Sequence, residues 1–160
     1  MSARPAYETP QDLANEEGVA RVLARRWSAT ALKLKRFYPI DYAFCREERY
    51  TTSHNGRPVL RSTAAAFAEI KTRTYTWEQL DRLGGYALSL EKWSAAERLC
   101  SMAGLPFIVA VCAVGDLRYA VAGDFSHDGV TYGGRSDRGD PSDKEPLILL
   151  NVARFKPVRL

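Results

Sequence analysis

The chain has 160 residues, 46% of them hydrophobic, which places it among globular proteins and excludes disordered and collagen-like classes. A formal net charge of +4 permits a polyanionic partner without requiring one. Three cysteines without a CxxC pair (Cys45, Cys100, Cys112) argue against a disulfide framework or a thiolate zinc site, and two histidines, His54 and His127, are too few for a His-rich metal centre.

The opening stretch MSARPAYETPQD has no apolar core of the secretory kind. The longest apolar run, LPFIVAVCAV at 105–114, is too short to span a bilayer. The expectation is one domain over 1–160 in the cytoplasm, with no membrane contact. The first helix is expected over about 10–26. Thr9 caps it, Pro10 takes the first helical position, Asp12 completes a capping-box pattern, and Leu13, Ala20, Leu23 and Trp27 recur at helical spacing. TALKLKRFYP alternates Leu32 and Leu34 with Lys33 and Lys35 and reads as a strand. PIDYAFCRE reads as a second, with Ile40, Tyr42 and Phe44 on one face and Asp41 on the other. Asn55-Gly56 is a hairpin signal, with His54 in its loop, and TAAAFAEIKT is the third strand of a meander.

Beyond the meander, Thr76 and Gln79 suit the cap of a short helical turn, and Gly84-Gly85 interrupts any longer helix. Ser89 is expected to cap a second main helix, LEKWSAAERLCSMAG, which Gly104 ends. PFIVAVCAV, continuously apolar, reads as a buried central strand, and LRYAVAG follows the Gly115-Asp116 turn. HDGVTYGGRSDRGDPSDKEP reads as a glycine-rich charged loop containing Arg135 and Arg138, and LILLNVARF as a last strand. The tryptophans and cysteines read as core residues. The order gives an α/β domain with a mixed sheet.

The chemistry-bearing stretch is AAAFAEIKTRTYTW. Glu69 and Lys71 stand two apart on a strand and so share a face, where packing would otherwise be expected. Asp41 lies at the start of the preceding strand, and a hairpin brings it beside Glu69. Two carboxylates that close repel one another unless a cation lies between them. Asp41, Glu69 and the backbone carbonyl of Ile70 make a set of hard oxygen donors for Mg²⁺ (or Mn²⁺). A metal held there polarises a phosphate and lowers the pKa of a bound water, while Lys71 orients that water or stabilises developing charge.

This arrangement resembles the PD-(D/E)XK (restriction-endonuclease-like) nuclease superfamily in its small phage and prophage type. YPID stands where that family has PD, with Ile40 intervening between Pro39 and Asp41, and EIK is the second half. The resemblance covers about residues 10–115. It implies an α-βββ-α-β core followed by a β-rich C-terminal tail, and a metal-dependent nuclease that hydrolyses DNA. It further implies a supporting glutamate on the first helix, Glu17 with Glu16 as the adjacent candidate. The pattern SLEKW matches an S..K start to the second core helix, which makes Lys92 a phosphate-facing residue. Arg73, just after EIK, is a further candidate for nucleic-acid contact. The implied partner is DNA, and a homodimer is compatible with it. Replacing Glu69 or Lys71 is expected to abolish cleavage and leave the fold intact. The rival readings are a DNA-binding or phage assembly protein that keeps this fold without turnover, and a structural phage protein.

Overall fold

The computed structural model describes residues 9–35, 38, 40–50, 59–134 and 143–159. The Asn55-Gly56 hairpin, His54, Pro39, Arg135 and Arg138 lie outside those residues.

Helix α1, Pro10–Arg26, starts on the expected capping box: Thr9 Oγ1 accepts from Asp12 N, and the Asp12 carboxylate accepts from Thr9 N. Its buried stripe is Glu16, Val19, Ala20, Leu23 and Ala24. Leu13, expected in the core, is exposed, and Trp27 packs edge-on against Phe44 and Tyr119. Strand β1 is short, Thr30–Lys33, and pairs antiparallel with β2, Tyr42–Tyr50. β2 pairs antiparallel with the long β3, Val59–Arg73, so the expected meander forms. Asp41 precedes β2. Ile40 packs with the core on the face opposite Tyr42 and Phe44, because it lies outside the strand and escapes its alternation.

Between β3 and its next neighbour the chain makes α2, Trp77–Arg82, on a Thr76–Gln79 capping box, then β4, Tyr86–Ser89, and α3, Leu90–Ala103. Strand β4 has no clear signal in the sequence. Four residues between a double glycine and a helix offer too short a pattern to read. Gly104, at φ 65°, ends α3 as expected. Ser89 precedes α3 but does not cap it with its side chain; its hydroxyl donates to Glu145 Oε2 at 2.8 Å instead.

Strand β5, Phe107–Ala113, is buried as expected and runs parallel to β3; β6, Asp116–Val121, returns antiparallel. The stretch expected to be a charged loop contains β7, Gly129–Gly134, which pairs with β8, Lys144–Leu150. A 3-10 turn, Val152–Arg154, leads to β9, Lys156–Pro157. Two sheets result, a six-stranded mixed sheet ordered β1-β2-β3-β5-β6-β9 and a three-stranded sheet ordered β4-β8-β7. The molecule is mixed α/β with three α-helices among the described residues.

α1 packs on one face of the large sheet, against Tyr42, Phe44, Ala66, Ala68, Ile70, Ile108 and Ala110. α3 packs on the other, with Trp93, Ala96 and Cys100 against Phe107, Val109 and Val111. That second core is continuous with Tyr86, Leu88, Ile148, Leu150 and Phe155, so the C-terminal residues close it. The three cysteines are free, with Cys45 and Cys100 buried. Among the described residues no helix is long and apolar enough to cross a membrane.

Candidate active site

The even-numbered residues of β3, Ala66 to Ile70, face α1, so the odd ones, Glu69, Lys71 and Arg73, face the α3 side. On the ladder Tyr42 pairs with Ala68, which brings Asp41 beside Glu69 where β2 begins and β3 nears its end. Residues paired directly across strands share a face, so Lys33, paired with Tyr42, stands on the α1 side. The first turn of α3 brings Lys92 from the other side.

At the centre is the Lys71 ammonium. It donates to Asp41 Oδ2 at 2.8 Å and Glu16 Oε1 at 2.9 Å, with Glu69 Oε1 at 3.3 Å. Three carboxylates, from α1, from β3 and from the residue just before β2, thus surround one cation. Lys92 Nζ donates to Glu69 Oε1 at 2.5 Å and lies 3.8 Å from Asp41 Oδ1. Lys33 Nζ donates to Glu16 Oε2 at 2.9 Å and lies 3.9 Å from Asp41 Oδ1. Among the described residues the six groups balance: three ammonium ions and three carboxylates. Exposure grades outward, from 1% for the Glu69 side chain and 18% for Lys71 to 34% for Lys92 and 39% for Lys33.

The electrostatics follow from that geometry. Burial pushes Glu69 up to about 7; the neighbouring Lys71 and Lys92 pull it down, and Asp41 adds to the rise. Burial would also raise Asp41, but Lys71, Lys92 and Lys33 outweigh it and hold Asp41 below its usual value. For Lys71, burial disfavours the charge, yet Glu69, Asp41 and Glu16 reverse that and push its pKa well up. Two carboxylates with opposite shifts now stand side by side, a separation typical of sites that handle protons.

The geometry brings together Asp41, Glu69, Lys71 and Lys92. It does not bring Glu17, whose exposed side chain pairs with Arg21 one helical turn on; the α1 carboxylate in the cluster is Glu16. The signal lay in the spacing, since Glu16 stands four before Ala20 and seven before Leu23, on the buried stripe. In the sequence Lys33 is only an outward residue of an alternating strand. Arg73 is folded back, donating to Tyr86 Oη at 3.3 Å and Thr72 O at 3.1 Å, with its guanidinium 5.5 Å over the Tyr86 ring. The Ile70 side chain is buried beneath α1. Glu69 is fully buried and the Lys71 side chain is 18% exposed, so both belong to a packed ionic cluster and not to a solvated strand face.

Among the described residues no three His, Cys, Asp or Glu side chains form a ready metal cage. The carboxylates are drawn onto lysines instead. Asp41 and Glu69 nevertheless carry oxygens of the hard kind that suit a divalent cation, and they share two cationic neighbours, Lys71 and Lys92.

No curated protein and no solved structure matches the chain significantly. A family model described as "Phage putative PDDEXK endonuclease" matches residues 2–158, nearly the whole chain. The match spans every element that supplies the Glu16, Asp41, Glu69, Lys71 and Lys92 cluster, and the chain belongs to that phage PD-(D/E)XK family.

Proposed function

We propose that this protein is a divalent-metal-dependent endonuclease that hydrolyses DNA phosphodiester bonds, with Mg²⁺ as its metal. The observation that carries the reading is the convergence of Glu16, Asp41 and Glu69 on Lys71 at 2.9, 2.8 and 3.3 Å. Asp41 and Glu69, with the Ile70 carbonyl, would hold the metal, and Glu16 rather than Glu17 is the supporting carboxylate. A divalent cation held there polarises the scissile phosphate and makes water a better nucleophile at neutral pH. The residues of the chain do the rest. Lys71, held fully protonated by its carboxylates, orients the attacking water and stabilises charge on the phosphate. Lys92, at the start of α3, meets the phosphate from the α3 side, where the helix dipole already favours an anion. Arg73 reaches the backbone only after leaving Tyr86. The family-wide match across residues 2–158 supports one functional unit over the whole chain.

The test is cleavage of supercoiled plasmid and linear duplex DNA in Mg²⁺, Mn²⁺, Ca²⁺ or chelator. Wild-type protein should cut in Mg²⁺ and Mn²⁺ and not in chelator. Asp41→Asn and Glu69→Gln should cut at least ~100-fold more slowly. Cutting by Asp41→Asn at the wild-type rate would sink the reading.

A further inference from the structure

The third lysine of the cluster, Lys33, has no part in the proposed mechanism so far. It is the last residue of the edge strand β1 and approaches Asp41 from the α1 face, opposite Lys92 on the α3 face. The two ammonium ions flank the same oxygen, Asp41 Oδ1, at nearly equal distances of 3.9 and 3.8 Å, both too long for a hydrogen bond. Among the described residues Lys33 has one short charged partner, Glu16 at 2.9 Å, and its nitrogen lies 4.7 Å over the Tyr42 ring. It is the most exposed of the three lysines.

We infer that Lys33 is a substrate-contacting residue, holding a backbone phosphate of the nucleic acid from the α1 side of the site as Lys92 does from the α3 side. The charge count drives the inference, which rests on the nuclease reading. Among the described residues, and with Glu69 ionised, three ammonium ions balance three carboxylates in the free protein. A divalent cation taken up by the carboxylates leaves the site with two uncompensated positive charges. As its ligands, Asp41 and Glu69 would turn from the lysines toward it. Lys71 is enclosed and stays, whereas the rim lysines, which share Asp41, would lose that carboxylate while remaining open to solvent. A phosphodiester backbone supplies the missing negative charge, and a lysine on a four-carbon stem can turn to it without moving β1. The two rim positions would straddle the scissile bond's neighbourhood with one ammonium on either side of the sheet.

The experiment is equilibrium binding of a fluorescent 30-base-pair duplex in Ca²⁺ as a function of salt, for wild type, Lys33→Ala, Lys33→Gln and Lys33→Arg. Each phosphate contact adds about 0.9 to the slope of log affinity against log salt. Lys33→Ala and Lys33→Gln should each lose about one such unit, and Lys33→Arg should keep it. A lysine that only steadies Glu16 would not move the slope. Slopes equal to wild type in both neutral variants overturn the inference and leave the nuclease reading standing if wild type binds and, in Mg²⁺, cuts. If wild type neither binds nor cuts duplex DNA, both fall together. Lys33→Gln keeps most of the stem, so a folding defect confined to Lys33→Ala does not stand in the way.

Discussion

Lys71 carries a structural burden as well as a chemical one. Removing a largely enclosed cation from among three carboxylates leaves uncompensated charge, which costs up to about 3–5 kcal/mol. Lys71→Met should therefore unfold at clearly lower urea than wild type in chelator, and Mn²⁺ should raise its midpoint more than it raises that of wild type. An Mn²⁺-insensitive Lys71→Met would mean that the carboxylates do not share a cation. Glu69 gives a pH test of known sign. Its folded-state pKa of about 7 is above the ordinary 4.5, so the folded state holds the proton more tightly. The stability this lends is full below about pH 4.5 and is lost as pH rises to about 7, about 3 kcal/mol over the window. Urea unfolding of wild type should weaken relative to Glu69→Gln between pH 4.5 and 8; parallel profiles would contradict the burial argument. Asp41, with its lowered pKa, works the other way, and its contribution is lost as pH falls. At this scale Asp41, Glu69 and Lys71 were legible because strand alternation and one hairpin suffice to place them. Glu16 was legible only as second choice, and Lys33 not at all, since its partner lies 17 positions away on another element.

The elements that hold the site are fixed by caps and by one close backbone approach. Gly85 lies at φ 119°, and a Cβ there would meet Leu150 O at 2.4 Å, where β4 joins β8. No side chain fits without moving one strand off the other. Gly85→Ala should cost about 3 kcal/mol, read as a shift in the urea midpoint. Gly18, in the middle of α1, makes the contrasting case, since a Cβ there would meet nothing within 4 Å. Gly18→Ala should be neutral or stabilise by up to about 1 kcal/mol. Equal losses at both glycines would contradict the assigned β4–β8 contact. The bounds of α1, α3 and β5 were readable because caps and long apolar patterns announce them. β4 and β7 were not: β4 is four residues long, and β7, with its glycines and exposed Val130 and Tyr132, looks like loop because one partner strand alone holds it.

At the scale of the molecule, the C-terminal residues are part of the core that supports the site rather than a tail. Phe155 packs on Trp77 and Tyr86 at ring-centroid distances of 5.1 and 6.0 Å, and Ile148 and Leu150 are fully buried. A chain ended after Gly115 would expose that face of α3 and leave β4 without β8. It should show no cooperative urea transition; a sharp one would mean that residues 10–115 stand alone. α1 on one sheet face and α3 on the other deliver their side chains to a shared sheet end. The most direct test of the central claim is anomalous scattering from crystals of the full chain soaked in Mn²⁺. The account predicts a Mn²⁺ peak bound by the Asp41 and Glu69 carboxylates, with Lys71 still beside them. Mn²⁺ bound elsewhere, with Asp41 and Glu69 still closed on Lys71 and Lys92 at saturating metal, would contradict it.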